Sequence, residues 1–251
     1  MQKATAQLSL FPAPDIVPEQ AAFEIRKSSR ARRLSVKVYP RGRVEVVVPK
    51  RATRRDVESF LKANRDWIDN ARRHFAVEFV PDTGALPDRI DLPAIGASFV
   101  LRWRRHEAEQ PVRVRQAGNT LVLSGATRDL EESRKALQRW LSRTAKVHFS
   151  SRLNELSTLT GLGYQRMQVR AQKTCWGSHS SSGTISLNVC ALFLGPELLR
   201  YLMLHELCHG RHMNHSRRFW NLLERHQPGS KKLDRRLGES WRDIPAWVGI
   251  Y

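Results

Sequence analysis

Between Tyr201 and Trp220 the chain reads Y-L-M-L-H-E-L-C-H-G-R-H-M-N-H-S-R-R-F-W, and this stretch constrains the fold more than any other. His205 and His209 stand four residues apart, one turn of an α-helix, so both imidazoles leave the same face and can reach a single ion. Glu206, beside the first of them, is placed to take a proton from water at that ion. With nine histidines in 251 residues, H-E-x-x-H arises by accident in only roughly 2% of chains of this composition. The surroundings also argue against chance. Leu198, Leu199, Tyr201, Leu202, Met203 and Leu204 make the helix apolar enough to be buried, and Gly195-Pro196 reads as a cap followed by proline at the first helical position. Two imidazoles and a carboxylate at the end of a buried helix need partners, and a metal ion supplies them.

A catalytic zinc takes three protein ligands and keeps one position open. His212 shares the helical face, but in a continuing helix it would lie about 10 Å from His205 along the axis, at 1.5 Å per residue. The chain must therefore turn away after His209. Gly210 weakens the helix, Asn214 tolerates a left-handed conformation, and His215 follows. His215 is the expected third ligand, His212 a supporting or transition-state donor, and Glu224 a distant alternative. Ser216 is expected to cap a further helix containing Phe219, Trp220, Leu222 and Leu223. A structural zinc site would more often use four Cys or His ligands, and Cys175, Cys190 and Cys208 show no C-x-x-C pairing.

Three segments give the chain a family resemblance: S-R-A-R-R-L-S-V-K-V-Y-P-R-G-R-V-E-V-V-V-P, K-T-C-W-G-S-H-S-S-S-G-T-I-S-L-N and H-E-L-C-H-G-R-H-M-N-H-S-R-R-F-W. From about Phe23 to Leu237 it resembles the YgjP-like metallopeptidases, relatives of the SprT-like proteases. The resemblance implies a zinc-dependent peptidase whose ligands fall on His205, His209 and His215. The sequence departs from the family pattern at Cys175 and His179, neither of them a ligand position.

The charge balance points to polyanions. The chain carries 43 Lys and Arg against 24 Asp and Glu, a net +19. Twelve of the basic residues lie between Arg26 and Arg55, with Glu45 the one acid among them. A field this strong favours nucleic acid above all, with DNA as the expected partner of that basic face, or acidic protein partners. In the proline-containing stretch 1–22, expected to be disordered, Gln7, Leu8, Ser9, Leu10 and Phe11 resemble the short peptide by which bacterial proteins dock on the replicative sliding clamp. Physically, that peptide offers Leu8, Leu10 and Phe11 as apolar anchors and Gln7 as a hydrogen-bonding group. The absence of an apolar run near 20 residues and of a basic-then-apolar leader points away from a membrane and towards the cytoplasm.

The remaining pattern predicts an α+β fold. Residues 1–22 form a tail, and 23–125 a basic β-rich part with one helix. Residues 126–237 form a helical zincin-like metallopeptidase core with a small antiparallel sheet, and 238–251 a C-terminal tail that docks. Val36 and Val38 should pair with Val44, Val46 and Val48 across Pro40-Arg41-Gly42. Thr53 and Asp56 should box the start of a helix running to about His74. Strands are expected around Phe99–Trp103, Val112–Arg115 and Leu121–Leu123, then a long helix capped by Thr127 or Asp129 and stopped at Gly161. Gln168–Arg170 and Ile185–Val189 should be strands joined through a Ser180–Gly183 turn, the latter as the sheet edge that receives substrate.

The expected chemistry is peptide-bond hydrolysis on a protein or peptide substrate. Zn2+ would sit on the three histidines, Glu206 would be the acid–base group, and His212, Tyr201 or Lys173 would be the oxyanion donor. His179 is a loop residue that could lie near substrate. DNA-associated proteins are the suggested targets. The alternatives are a nucleic-acid-binding protein with a structural zinc and a zinc hydrolase acting on a non-peptide substrate.

Overall fold

A computed structural model of the chain describes residues 23–38, 44–66, 68–69, 85–105, 110–173 and 175–249. The peptide Gln7–Phe11, the turn at Pro40-Arg41-Gly42 and the helical continuation towards His74 lie outside the described residues. The architecture is α+β, with helices and several small sheets.

The first sheet orders β1 (Phe23–Ser28), β3 (Val44–Pro49) and β2 (Ser35–Val38), with β3 central. Val36 faces Val46 and Val38 faces Val44 in the antiparallel pair. The pairing is the one the alternating valines dictate, since a one-residue slip would turn Val36 and Val38 away from the face of Val44 and Val46. Helix α1 (Arg54–Ala63) covers the sheet with Val57 and Leu61. Its start is the expected capping box: Asp56 N–H donates to Thr53 Oγ1 at 3.2 Å and Thr53 N–H to Asp56 Oδ2 at 2.8 Å. Thr53 N–H, and the Thr53 hydroxyl donating to the same Oδ2 at 2.8 Å, hold the Asp56 carboxyl below the usual carboxylate range.

A second sheet runs β4 (Arg89–Leu92), β5 (Ala97–Arg105), β7 (Thr120–Gly125) and β6 (Arg113–Ala117). Strand β4 lies ahead of the strands expected from the sequence. Helix α2 (Leu130–Thr160) lies against this sheet, with Trp140 edge-on to Phe99 at 5.0 Å between ring centroids. Asp129, not Thr127, caps it by accepting from Glu132 N–H at 3.0 Å. It ends at Gly161, whose φ of +67° lies in the left-handed region that favours glycine. This sheet and α2 share one apolar core with everything that follows.

The third sheet corrects two expectations. Its order is β8 (Arg166–Arg170), β10 (Thr184–Asn188) and β9 (Gly177–His179). It is mixed, not antiparallel, because the chain returns between β8 and β9, leaving β8 and β10 parallel. The Ser180–Gly183 turn joins β9 to β10, so the Ile185–Val189 stretch is central and the short β9 is an edge. Asn188 ties the return segment down, its Nδ2 donating to the carbonyls of Gln172 and Cys175 at 2.7 and 2.9 Å.

Three helices complete the core: α3 (Pro196–His209), α4 (Arg217–His226) and α5 (Ser230–Glu239). Helix α3 is buried nearly all round, as its apolar sequence requires. Each of its fully buried large side chains contributes about 1.5–3 kcal/mol of burial free energy. The C-terminal residues do dock: Trp241 stacks on Trp176 at 4.1 Å, and Gln138 Nε2 donates to the Val248 carbonyl at 2.7 Å. Among the described residues no helix is long and apolar enough to cross a membrane, and Cys175, Cys190 and Cys208 are free thiols.

Candidate metal centre

Helix α3 delivers His205 and His209 from successive turns, and the chain then bends. Gly210 N–H donates to the Leu207 carbonyl, and Arg211 and His212 N–H both donate to Cys208, each at 3.0 Å. The bend brings His215 back over the helix end. His215 Nε2 lies 3.0 Å from His205 Nε2, and His209 Nε2 lies 3.2 Å from it. Two ligand nitrogens at 2.0–2.1 Å on a tetrahedral ion are separated by about 3.3 Å, so this spacing fits a metal ion. The donor chemistry fits as well, because three imidazole lone pairs converging on one point repel one another unless a cation lies between them. Burial and the two neighbouring imidazoles push His205 down to about 3, and burial lowers His209, so both rings are kept neutral, as ligands must be.

Two of the rings are oriented from behind. His209 Nδ1 donates to the His212 carbonyl at 3.0 Å. His212 thus contributes its backbone, while its imidazole makes no contact with the triad rings. His205 Nδ1 faces the Tyr201 hydroxyl at 3.3 Å, and that hydroxyl donates to Asp234 Oδ1 at 2.8 Å. Burial first, then Asp234, drives the Tyr201 phenol well above its ordinary range. This places Tyr201 on the side of His205 remote from the converging nitrogens. Phe219 of α4, fully buried, lies against all three imidazoles at centroid distances of 4.9, 4.6 and 4.8 Å for His205, His209 and His215.

Glu206 is 4% exposed, and its Oε2 has no hydrogen-bond partner. Burial raises its carboxyl to about 8. An unpartnered buried carboxylate is costly, and the one beside this triad is poised to gain or lose a proton. Gly177 is what leaves it room, since a Cβ there would stand 2.5 Å from Glu206 Oε1. We expect Gly177→Ala to displace the carboxylate while the fold stands, because the clashing atoms are the end of a flexible side chain. Activity should fall on the order of 10²-fold while thermal stability drops by no more than about 1–2 kcal/mol. Kinetics alongside a melting curve checks both.

The other candidates fall in different places. His179 of β9 donates from Nδ1 to the Glu206 carbonyl, so it pins the edge strand to α3 and satisfies a carbonyl at the helix end. Lys173 lines a separate cavity of about 170 Å³ with Gln138, Leu141 and Val248. Glu224 is engaged elsewhere, accepting from Gly229 and Ser230 N–H at 2.7 and 3.0 Å at the start of α5. The Ser230 hydroxyl first, and then those two bonds, keep its carboxyl low. Ser216 occupies the cap position of α4 but makes no side-chain capping bond. Reading the residues alone did not single out Phe219, Asp234 or Gly177 for the site. Gly177, in W-G-S-H, and Phe219, in S-R-R-F-W, lay within segments already noted for their pattern, and Asp234 in none.

A cleft of about 650 Å³ opens at the end of α3, lined among others by Tyr164, His179, Ser181, Leu207, Gly210 and Arg211 and by none of the three histidines. Strand β9 borders it. Asn188 N–H donates to the Trp176 carbonyl at 2.8 Å and Ser180 N–H to the Thr184 carbonyl at 2.9 Å. Alternation along the strand therefore directs the N–H and C=O groups of Gly177 and His179 to the open edge.

A family model of the YgjP-like metallopeptidase domain matches residues 32–240. Among solved structures, the metallopeptidase zymogen of Pyrococcus abyssi abylysin is similar at 28% identity, the match covering 35% of this chain and 90% of that one, with a TM-score of 0.33. No curated protein matches the chain.

Proposed function

Since the chain belongs to the YgjP-like metallopeptidase family, we propose that it is a zinc-dependent endopeptidase with His205, His209 and His215 as metal ligands and Glu206 as its acid–base residue. The observation that carries the reading is the convergence of three imidazole nitrogens within 4.8 Å of one another beside a buried, unpartnered carboxylate. Zinc held on three imidazoles acts as a Lewis acid, acidifying water and polarising a carbonyl. The rest of the work falls to the protein. Glu206 accepts the proton of the attacking water and returns it to the departing amine. An extended peptide pairs with the outward amides of Gly177 and His179, and its side chains enter the cleft beside Arg211. His212 is the candidate retained for the oxyanion, since Tyr201 is bound to Asp234 and Lys173 lies in another cavity.

A finer reading concerns the substrate. Arg30, Arg32, Arg33, Lys37, Lys50, Arg51 and Arg55 are exposed around the first sheet and α1, a surface suited to a phosphate backbone. We propose DNA-associated proteins as substrates, with residues 1–22 as a recruiting tail for the sliding clamp. One experiment tests these layers: metal content and proteolysis of the full chain, with and without DNA. The expected result is one zinc per chain, proteolysis abolished by a chelator and restored by zinc, and faster cleavage of DNA-bound protein. Metal-free protein with unchanged proteolysis would sink the first layer, and identical rates with DNA the second. For the tail, clamp capture that is unaffected by Phe11→Ala rules out that docking mode.

A further inference from the structure

Asp234 lies on α5, 33 positions beyond Tyr201 and 29 beyond His205, at the protein surface. Its carboxylate nevertheless ends a chain of hydrogen bonds that starts on a triad histidine. The Tyr201 hydroxyl has one hydrogen, and it donates to Asp234 Oδ1 at 2.8 Å. The remaining contact of that oxygen, 3.3 Å to His205 Nδ1, can then be a hydrogen bond only if the proton is on the imidazole. His205 Nδ1–H donates to Tyr201, and Tyr201 O–H donates to Asp234. A neutral ring protonated at Nδ1 carries its lone pair on Nε2, the atom that meets His209 and His215.

We propose that Asp234, acting through Tyr201, is a positioning residue that fixes the tautomer of His205 and so the direction of its lone pair. The fold keeps α5 in place for this. Leu233 and Leu237, which flank Asp234, are buried in the core, Arg236 Nη1 donates to Glu197 Oε2 in the first turn of α3 at 2.7 Å, and Glu224 caps the start of α5. Tyr201 is fully buried, so its hydroxyl has no water to turn to instead. Asp234 itself is exposed. Outer partners of this kind orient a ligating ring and raise its basicity, and their loss typically weakens metal binding 10- to 100-fold.

The inference rests on the metallopeptidase reading of the triad, and its test keeps the two apart. In metal-free protein, nitrogen NMR of the histidine side chains reads the His205 tautomer directly. Zinc affinity is measured separately by competition with a chromophoric chelator. Wild type should show His205 protonated at Nδ1. Tyr201→Phe and Asp234→Leu should both give mixed tautomers and a 10- to 100-fold weaker zinc complex. Asp234→Asn, which keeps an acceptor oxygen, should retain the tautomer and lose less than about tenfold. His205 protonated at Nε2 in the wild type overturns the proposal. So does an unchanged tautomer in both Tyr201→Phe and Asp234→Leu. A wild type that binds no zinc instead removes the metal reading, and the tautomers still decide the relay.

Discussion

Replacing Glu206 by glutamine should leave zinc binding intact while cutting peptide hydrolysis by about 10²–10⁴-fold, the usual worth of a positioned acid–base group. The amide keeps the size of the carboxyl group, so the space beside Gly177 stays filled and the three imidazoles are undisturbed. What is lost is the ability to take up a proton. The same substitution has a second, opposite effect. Folding carries the Glu206 carboxyl from 4.5 up to about 8 because burial penalises its charged form. In the metal-free wild type this contributes stability that is fully present below 4.5 and is lost as pH rises through about 8. The glutamine protein has no such loss. Its melting temperature should therefore overtake that of the parent between those values, while its turnover collapses. Full activity in the glutamine variant would exclude Glu206 as the proton carrier.

Phe219→Ala is expected to cost about 3–5 kcal/mol of stability, a large share of the roughly 5–15 kcal/mol that a domain has to lose. It should also weaken zinc binding. One fully buried ring supports three imidazoles, stacking on His209 at 28° and meeting His205 and His215 edge-on at 69° and 75°. Removing it opens a void beneath all three ligands at once, so the loss of affinity should exceed that from a cavity elsewhere in the core. Trimming a buried side chain remote from the triad, as in Leu153→Ala, supplies the comparison at similar stability cost, about 2–5 kcal/mol. Equal zinc affinities in the two variants would show that Phe219 is only filler.

These residues also mark where the sequence was readable and where it was not. Histidine spacing along a helix is a local property, so His205 and His209 could be placed on one face at sight, and the failure of a straight helix to use His212 pointed on to His215. Thr53 with Asp56, and the start and stop of α2 at Asp129 and Gly161, were legible because a cap is decided within four residues. Contacts across the fold were not. Asp234 reaches His205 only because α5 packs beside α3, and nothing in S-K-K-L-D-R-R-L-G-E distinguishes its acid from an ordinary solvated one. Phe219 carried the apolar signature of any amphipathic helix. The edge was misplaced for a related reason: alternation shows that Ile185–Val189 is a strand but not which neighbours it acquires, and Gly177–His179 is too short to show a period. Glu224 looked available as a ligand until the start of α5 was seen to occupy it.

The stack of Trp241 on Trp176 has a practical corollary. Trp176 immediately precedes the glycine that makes room for the Glu206 carboxylate, and its partner stands one position past the end of the family match at 240. A chain trimmed to the matched region would thus keep all three histidines of the triad yet lose the ring stacked on the residue that leads into β9. Such a fragment should load metal normally and cut poorly, a pairing easily mistaken for the wrong choice of substrate.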